Sequence, residues 1–272
     1  ANMAPAGTET AGFTAATTQD PDVAVTITGT APTITELNAV AAATTGVVTA
    51  SISDTAANLV ASLSTASTDA ITITVTDSSA DAANLNTIDA KTSVAIVATS
   101  VATITGTAAA IVTAAQSTGI TTAANYAATV NSGTLSVANA LILDADTTGV
   151  ITASVAEGDL ATLKTLTNAN SNNVLSITVT DTTASAADLI AVDGITSAAV
   201  NAAAAETITG SVSALNSYRT AFDAGTITGL RIYAVVTDDT SAAAADLVTL
   251  ARPSTGAAPD ANLASINTIT GS

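Results

Sequence analysis

Hydrophobic and polar residues alternate strictly along several short stretches of the chain. In residues 71–77, ITITVTD, the aliphatic residues Ile71, Ile73 and Val75 fall on one face and threonines fall on the other. Residues 175–181, LSITVTD, repeat the same alternation. A period of two with β-branched residues is typical of a half-buried β-strand. We therefore predict a strand at both positions, each with an aliphatic inner face.

A second pattern follows these strands: an aspartate, small residues, and an Ala-rich run closed by leucine. The aspartate stands where a short following helix needs an N-cap. In the run at residues 79–88, SADAANLNTI, the side chains of Ala83, Leu85 and Ile88 would share the inner face of one or two helical turns. The aspartates that end the strands are Asp54, Asp77, Asp181 and Asp238.

The closing leucine recurs about every 25 residues, a period that is typical of repeat architectures. The word TITG recurs as well, beginning at Thr26, Thr103, Thr207, Thr226 and Thr268. We predict a β-rich solenoid over residues 23–272, with about ten strand-plus-short-helix or strand-plus-loop coils stacked in parallel. The aliphatic positions that align are Leu37, Leu59, Leu85, Ile111, Leu141, Leu160, Leu189, Leu215, Leu247 and Leu263.

Residues 1–22 lack the repeat and contain two prolines and two glycines, which predicts an extended N-terminal arm. Its one large apolar side chain, Phe13, is a candidate anchor on a neighbouring subunit. The chain closes on TITGS, which repeats the opening of a unit, so an open strand edge is expected there. We predict head-to-tail self-assembly through Phe13, Ile27, Thr268, Ile269 and Thr270.

The composition disfavours several classes of partner and of catalytic chemistry. Aromatic residues make up 2% of the chain, and 22 acidic residues against 5 basic ones give a net charge of −17. Nucleic acid and anionic membrane surfaces are therefore not expected partners, since both bind cations. The chain contains no run of about 18 consecutive apolar residues, so membrane insertion is not expected. The chain has no cysteine and no histidine, so thiol chemistry and the usual neutral-pH general base are missing.

The phrases SDTAANL at residues 53–59, DAANL at 81–85 and SAADL at 185–189, with the TITG words, carry a resemblance. The chain resembles the Ala/Thr/Asp-rich repeat regions of large secreted bacterial surface proteins, and similar stretches in marine cyanobacteria and their phages. The resemblance implies scaffolding, adhesion or matrix roles outside the cell or on a virion surface. It implies no catalytic residue.

Three kinds of chemistry are alternatives to this structural interpretation. Asp54, Asp77, Asp181 and Asp238 could stack as oxygen ligands for calcium, although a helix-capping role is the simpler expectation. Paired carboxylates can hydrolyse glycosides, but here the polar groups are repeated and no enzyme is expected. The outward threonines of residues 71–77 could form an array of the ice-binding kind.

We predict a structural subunit of an extracellular filament or surface layer, with no cofactor apart from the calcium alternative. Its expected partners are other copies of the chain and cell-surface polysaccharide. The alternative is a monomeric adhesin or virion fibre domain, or an ice-binding protein, that uses Thr-rich strand faces.

Overall fold

The computed structural model describes residues 2–3, 21–166, 173–229, 233–251 and 260–271. Phe13, which was predicted to anchor a neighbouring subunit, lies outside these residues. The chain divides into two compact units. Unit 1 comprises Ala1–Ser132 and Asp146–Gly149, and unit 2 comprises Gly133–Ala145 and Val150–Ser272.

Unit 1 alternates short parallel strands with helices. One sheet has the order β1-β2-β3-β4-β6-β8, and β5, β7 and β9 pair side by side in another. The elements in chain order are β1 (Asn2–Met3), β2 (Val25–Ile27), α1 (Ile34–Ala43), β3 (Val48–Asp54), α2 (Ala56–Ser62), β4 (Ala70–Val75), β5 (Ser79–Asp81), α3 (Ala82–Asp89), β6 (Ile96–Ala98), β7 (Thr103–Thr107), α4 (Ala108–Gln116), β8 (Ile120–Thr122) and β9 (Ala127–Ser132).

Unit 2 follows the same alternation. Its parallel pairings are β10 with β11, β12-β14-β16-β18, β13 with β15, and β17 with β19. The elements are α5 (Val137–Asp146, its last residue counted with unit 1), β10 (Ile151–Ser154), α6 (Leu160–Leu163), β11 (Val174–Ser176), β12 (Thr183–Ser185), α7 (Ala186–Asp193), β13 (Val200–Asn201), β14 (Thr207–Gly210), α8 (Val212–Ala224), β15 (Ile227–Thr228), β16 (Tyr233–Val236), β17 (Ser241–Ala243), α9 (Ala244–Ala251), β18 (Asp260–Asn262) and β19 (Thr268–Thr270).

The predicted β-rich solenoid of about ten coils is wrong. The described residues form a mixed α/β structure with nine helices and several small parallel sheets. The Ala-rich runs are the physical reason, because alanine has the highest helix propensity. Most of the helices are preceded by a residue whose side chain caps the helix N-terminus, and they are four to 13 residues long. The capping residues are Thr33, Thr55, Asp81, Thr107, Asp159, Ser185 and Ser211.

In each unit, aliphatic side chains of the strands and helices are buried and form a core. Ile71, Ile73 and Val75 of β4 are fully buried, which confirms the inner face predicted from the alternation. Most of the aligned leucines are buried too. Leu141 is an exception, because α5 turns Ala140 and Leu143 inward instead. Leu263 is half-buried and follows β18 instead of lying on a helix.

Buried threonine hydroxyls connect the start of a strand, or the one or two residues before it, to the segment that follows the next helix. Each donates to a backbone carbonyl about twenty residues earlier in the chain, and each accepts an N–H two residues further on. The donor–carbonyl pairs are Thr44 with Val23 at 2.6 Å, Thr92 with Ile71 at 2.7 Å, Thr147 with Tyr126 at 2.5 Å and Thr196 with Leu175 at 2.8 Å. These bonds satisfy backbone groups that would otherwise be buried without a partner.

Two of these threonines begin the sequence TTG, and the glycine allows a close backbone approach. A Cβ atom on Gly46 would lie 2.3 Å from the Asp22 carbonyl oxygen, and one on Gly149 would lie 2.1 Å from that of Tyr126. No side chain fits at such distances, so the turn requires glycine for space. Both turns have the same sequence, TTGV, at residues 44–47 and 147–150.

Candidate functional site

The structure places two of the four predicted aspartates at helix N-termini, but at the helix before each aspartate. Asp77 accepts the N–H of Ala56, the first residue of α2, at 2.6 Å. Asp181 accepts the N–H of Leu160, the first residue of α6, at 2.8 Å. Each carboxylate therefore satisfies an N–H that the helix itself leaves without an acceptor, and its charge favours the positive end of the helix dipole.

Two further carboxylates do the same at other helices. Glu157 accepts the N–H of Val137 at 2.9 Å, and Asp239 accepts the N–H of Val212 at 2.7 Å. Sequence reasoning missed both, having chosen Asp238 in place of Asp239. The exposed Asp238 accepts the hydroxyl of its neighbour Thr237 instead.

Asp54 differs from the other three predicted aspartates. One of its oxygens accepts the Thr55 N–H at 2.7 Å, and the other accepts the Asn58 side-chain amide at 2.6 Å. It therefore braces the first turn of its own following helix. Within the described ranges, no group of three or more acidic side chains lies close enough together to hold a metal ion. The carboxylates are dispersed among separate helix ends.

Most cationic side chains in the described residues form hydrogen bonds or ion pairs. The Lys91 ammonium donates to the carbonyl oxygens of Val60 at 2.9 Å, Leu59 at 3.2 Å and Leu63, at the C-terminal end of α2. Burial lowers the pKa of Lys91. Lys164 pairs with Asp188 at 3.3 Å, and Arg219 is buried. These cations stabilise helix ends and neighbouring helices, and none forms a basic patch with another.

Two tyrosines are buried in different ways. The Tyr126 hydroxyl donates to Asp146 at 2.7 Å, whereas the Tyr218 hydroxyl finds no hydrogen-bond partner among the described residues. Burial raises the pKa of both phenols well above its ordinary value, and the adjacent Asp146 carboxylate adds to the effect at Tyr126. Neither phenol is set up to lose a proton at neutral pH, so neither provides a base for catalysis.

The predicted self-assembly residues lie on two different strands. Ile27 belongs to β2, which pairs with β1 on one edge and with β3 on the other. Thr268, Ile269 and Thr270 form β19, which pairs with β17 along one edge and with no described strand along its other edge. Ile269 is 65% exposed and so is Val248 of α9, the highest values for large aliphatic side chains in the described residues. Unit 2 thus carries an exposed apolar residue on a strand whose second edge has no partner among the described strands.

Hydroxyl side chains form a small outward patch on neighbouring strands of unit 1. Ser51 of β3 lies beside Thr72 of β4, and Ser53 lies beside Thr74. The row that contains Thr74 then meets Val97 of β6, which interrupts the hydroxyls. On the other side of β3, exposed Thr49 lies beside exposed Thr26 of β2, so the hydroxyls continue in that direction.

Unit 2 also contains a small crevice. Its polar lining is Asp144 and Asn173, whose side chains lie 3.3 Å apart, and the rest of the lining is aliphatic. Asn173 is already bonded to the Ile151 N–H at 2.8 Å. The crevice has room for little more than one water molecule, so it does not accommodate an organic substrate.

No protein-family model, curated protein or solved structure matches the chain. Among the described residues, no helix has the length and apolar character that a membrane crossing requires. The exposed strand edges and faces described above are therefore the features that bear on function.

Proposed function

We propose that the protein is a structural subunit that associates with other copies of itself through unpaired edges of its parallel sheets. The observation that carries this proposal is the edge of β19 that faces away from β17. This edge has no described strand partner, and the strand bears Ile269, which is 65% exposed. Natural edge strands are usually protected by lysine, proline, a bulge or a covering loop. The sequence TIT of β19 contains neither of the protecting residue types.

Charge supports association at this edge. The whole chain carries a net charge of −17, so two copies repel each other over most of their surfaces. Residues 261–272 contain no charged side chain, and neither do residues 1–8. Contacts between copies meet the least repulsion where charge is absent, and the β19 edge lies within one of these two segments.

The resemblance to Ala/Thr/Asp-rich repeat regions supports a location outside the cell or on a virion surface, where the assembled form would be an extracellular filament or a surface layer. Cell-surface polysaccharide is the second proposed partner, since the strand faces present many hydroxyls. We assign no enzymatic activity and no cofactor in this proposal.

Electron microscopy and sedimentation of the purified chain test the proposal. Wild-type protein is expected to form uniform filaments or sheets, and Ile269→Asp to remain dispersed. Val94→Asp is a matched control, because it adds the same charge at another exposed aliphatic residue, 39% exposed on unit 1. A wild-type chain that sediments as a monomer at high concentration would refute the proposal, as would equal effects of the two variants.

Salt dependence gives a second test. Raising ionic strength from 0.01 M to 0.15 M shortens the Debye length from about 30 Å to about 8 Å and weakens repulsion between the acidic copies. Association is therefore expected to strengthen with salt. Association through ion pairs would weaken instead, and that result would exclude a charge-free contact.

The hydroxyl patch of β3 and β4 favours one alternative, a monomeric adhesin or virion fibre domain that binds through Thr-rich strand faces. Thermal hysteresis would indicate ice binding, and retention on immobilised polysaccharide would indicate adhesion. Thr72→Val and Thr74→Val should abolish either activity, whereas Thr121→Val, at an exposed residue on β8, should not.

A further inference from the structure

Two strand edges without a described strand partner have complementary chemistry. One is the edge of β19 that faces away from β17, in unit 2, and the other is the edge of β1 that faces away from β2, in unit 1. We propose that these edges join in trans: β1 of one copy pairs in parallel with β19 of a second copy, with Asn2 beside Thr268 and Met3 beside Ile269. This inference rests on the proposed function, and it adds the identity of the two surfaces and their register.

Toward its open edge, the backbone of β19 presents hydrogen-bonding groups that pair with no described strand, and they point in the directions that the proposed pairing requires. The Thr268 N–H donates to the Thr240 carbonyl at 3.2 Å and therefore points toward β17. Backbone groups of successive strand residues point to opposite edges, so the N–H and carbonyl of Ile269 point to the open edge. The Asn267 carbonyl belongs to the same trans peptide group as the Thr268 N–H and points in the opposite direction. It therefore also faces the open edge.

The backbone of β1 presents the matching groups. The Val25 N–H donates to the Val47 carbonyl at 3.0 Å, toward β3, so the Thr26 N–H points toward β1. With Asn2 in register with Thr26, the N–H and carbonyl of Asn2 then face the outer edge. In the proposed register Asn2 donates to the Asn267 carbonyl and accepts from the Ile269 N–H.

Another strand that overlaps the word TITG already pairs in this manner. β2 and β19 both overlap this word, and the closing glycines Gly29 and Gly271 both have a φ of 96°. The edge of β2 that corresponds to the open edge of β19 pairs in parallel with β3. A parallel strand therefore fits this edge without a change in its backbone course. The contact joins two different surfaces, so it can repeat from copy to copy.

Cysteine cross-linking tests the register, because the chain contains no cysteine of its own. Neighbouring strands lie about 4.8 Å apart, and a disulfide accommodates Cα atoms at about that separation. When the single variants Met3→Cys and Ile269→Cys are mixed and oxidised, we expect a disulfide-linked dimer that neither variant forms alone. The pair Asn2→Cys and Thr268→Cys should give the same result and provides an independent second variant set.

The outcomes separate this inference from the proposed function. Ser53→Cys, at an exposed position on β3, serves as the control and should give no dimer with Ile269→Cys. Dimers of Ile269→Cys alone would show that the β19 edge pairs with itself, which overturns the inference but leaves self-association intact. If wild-type protein forms filaments but the mixed Met3→Cys and Ile269→Cys variants give no disulfide-linked dimer, the inference is also overturned while self-association stands. A wild-type chain that stays monomeric would overturn the proposed function.

Discussion

Thr92 allows a quantitative test of the buried hydroxyls in this fold. Its side chain is 7% exposed, donates to the Ile71 carbonyl at 2.7 Å, and accepts the N–H groups of Ile71 at 3.0 Å and Val94 at 3.2 Å. Thr92→Val keeps the shape but removes every one of these bonds. A buried N–H left without an acceptor costs about 1–3 kcal/mol, and a lost hydrogen bond about 1 kcal/mol more. We therefore expect Thr92→Val to lower the free energy of unfolding by about 2–4 kcal/mol.

Urea denaturation followed by circular dichroism measures this loss. The midpoint should fall by about 1–2 M with an unchanged slope, given slopes of about 1–3 kcal/mol per molar urea. Thr92→Ser keeps the hydroxyl and should recover most of the stability. Thr72→Val changes an exposed threonine of the neighbouring strand β4 and should stay within about 0.5 kcal/mol of wild type. Equal midpoints for Thr92→Val and Thr72→Val would refute the argument.

Three further predictions concern single side chains. Asp77→Ala removes the acceptor of the Ala56 N–H and should cost about 0.5–2 kcal/mol in urea denaturation. Gly149→Ala places a Cβ 2.1 Å from the Tyr126 carbonyl oxygen and should cost more than about 2 kcal/mol, because the backbone itself must move. Above pH 10 the unfolded phenols of Tyr126 and Tyr218 ionise while the folded ones stay neutral. Stability should therefore fall with rising pH by up to about 1.4 kcal/mol per pH unit for each tyrosine.

Each of these predictions has a matched control. Asp238→Ala changes an exposed aspartate without a backbone contact of this kind and should cost at most about 0.5 kcal/mol. Gly194→Ala meets no atom closer than 3.6 Å at an ordinary negative φ and should be tolerated. Tyr218→Phe removes a buried hydroxyl that has no partner, so it should not destabilise at pH 7, and it should flatten the alkaline decline. An alkaline decline that is unchanged in Tyr218→Phe would contradict the assigned cause.

The local structure was more predictable than the architecture. The alternation in residues 71–77 located β4 and its buried face, because a period of two has no other common explanation. The Ala-rich runs predict helices of one or two turns, and α2, α3 and α7 have seven or eight residues each, about two turns. α8, with 13 residues, is longer than predicted. At residues 140–143, ALIL, four consecutive apolar residues could not show which one faces the core, and the wrong one was aligned.

The capping carboxylates could not have been found by sequence reasoning alone. Asp77 and Ala56 are 21 residues apart, and Asp239 and Val212 are 27 apart, so the spacing depends on the lengths of the intervening strands and loops. Local rules assign an aspartate to the helix that follows it. Here the parallel arrangement of successive segments carries the carboxylate to the helix that precedes it, and only the register of the strands reveals this.

The same bonds imply an order of stabilities in the proposed assembly. Where β3 pairs with β4, two carboxylates add to the backbone hydrogen bonds. Asp77 accepts the N–H of Ala56 at the start of α2, and Asp69 accepts the Val48 N–H at 2.9 Å. The proposed contact between β19 and β1 of another copy has only a short ladder and the apolar surface of Ile269. Fewer bonds and less buried surface hold copies together than hold each copy folded. Filaments should therefore dissociate on dilution or in mild denaturant while the subunits keep their helical circular dichroism, and a single transition common to both would show that the contact is more extensive than one strand edge.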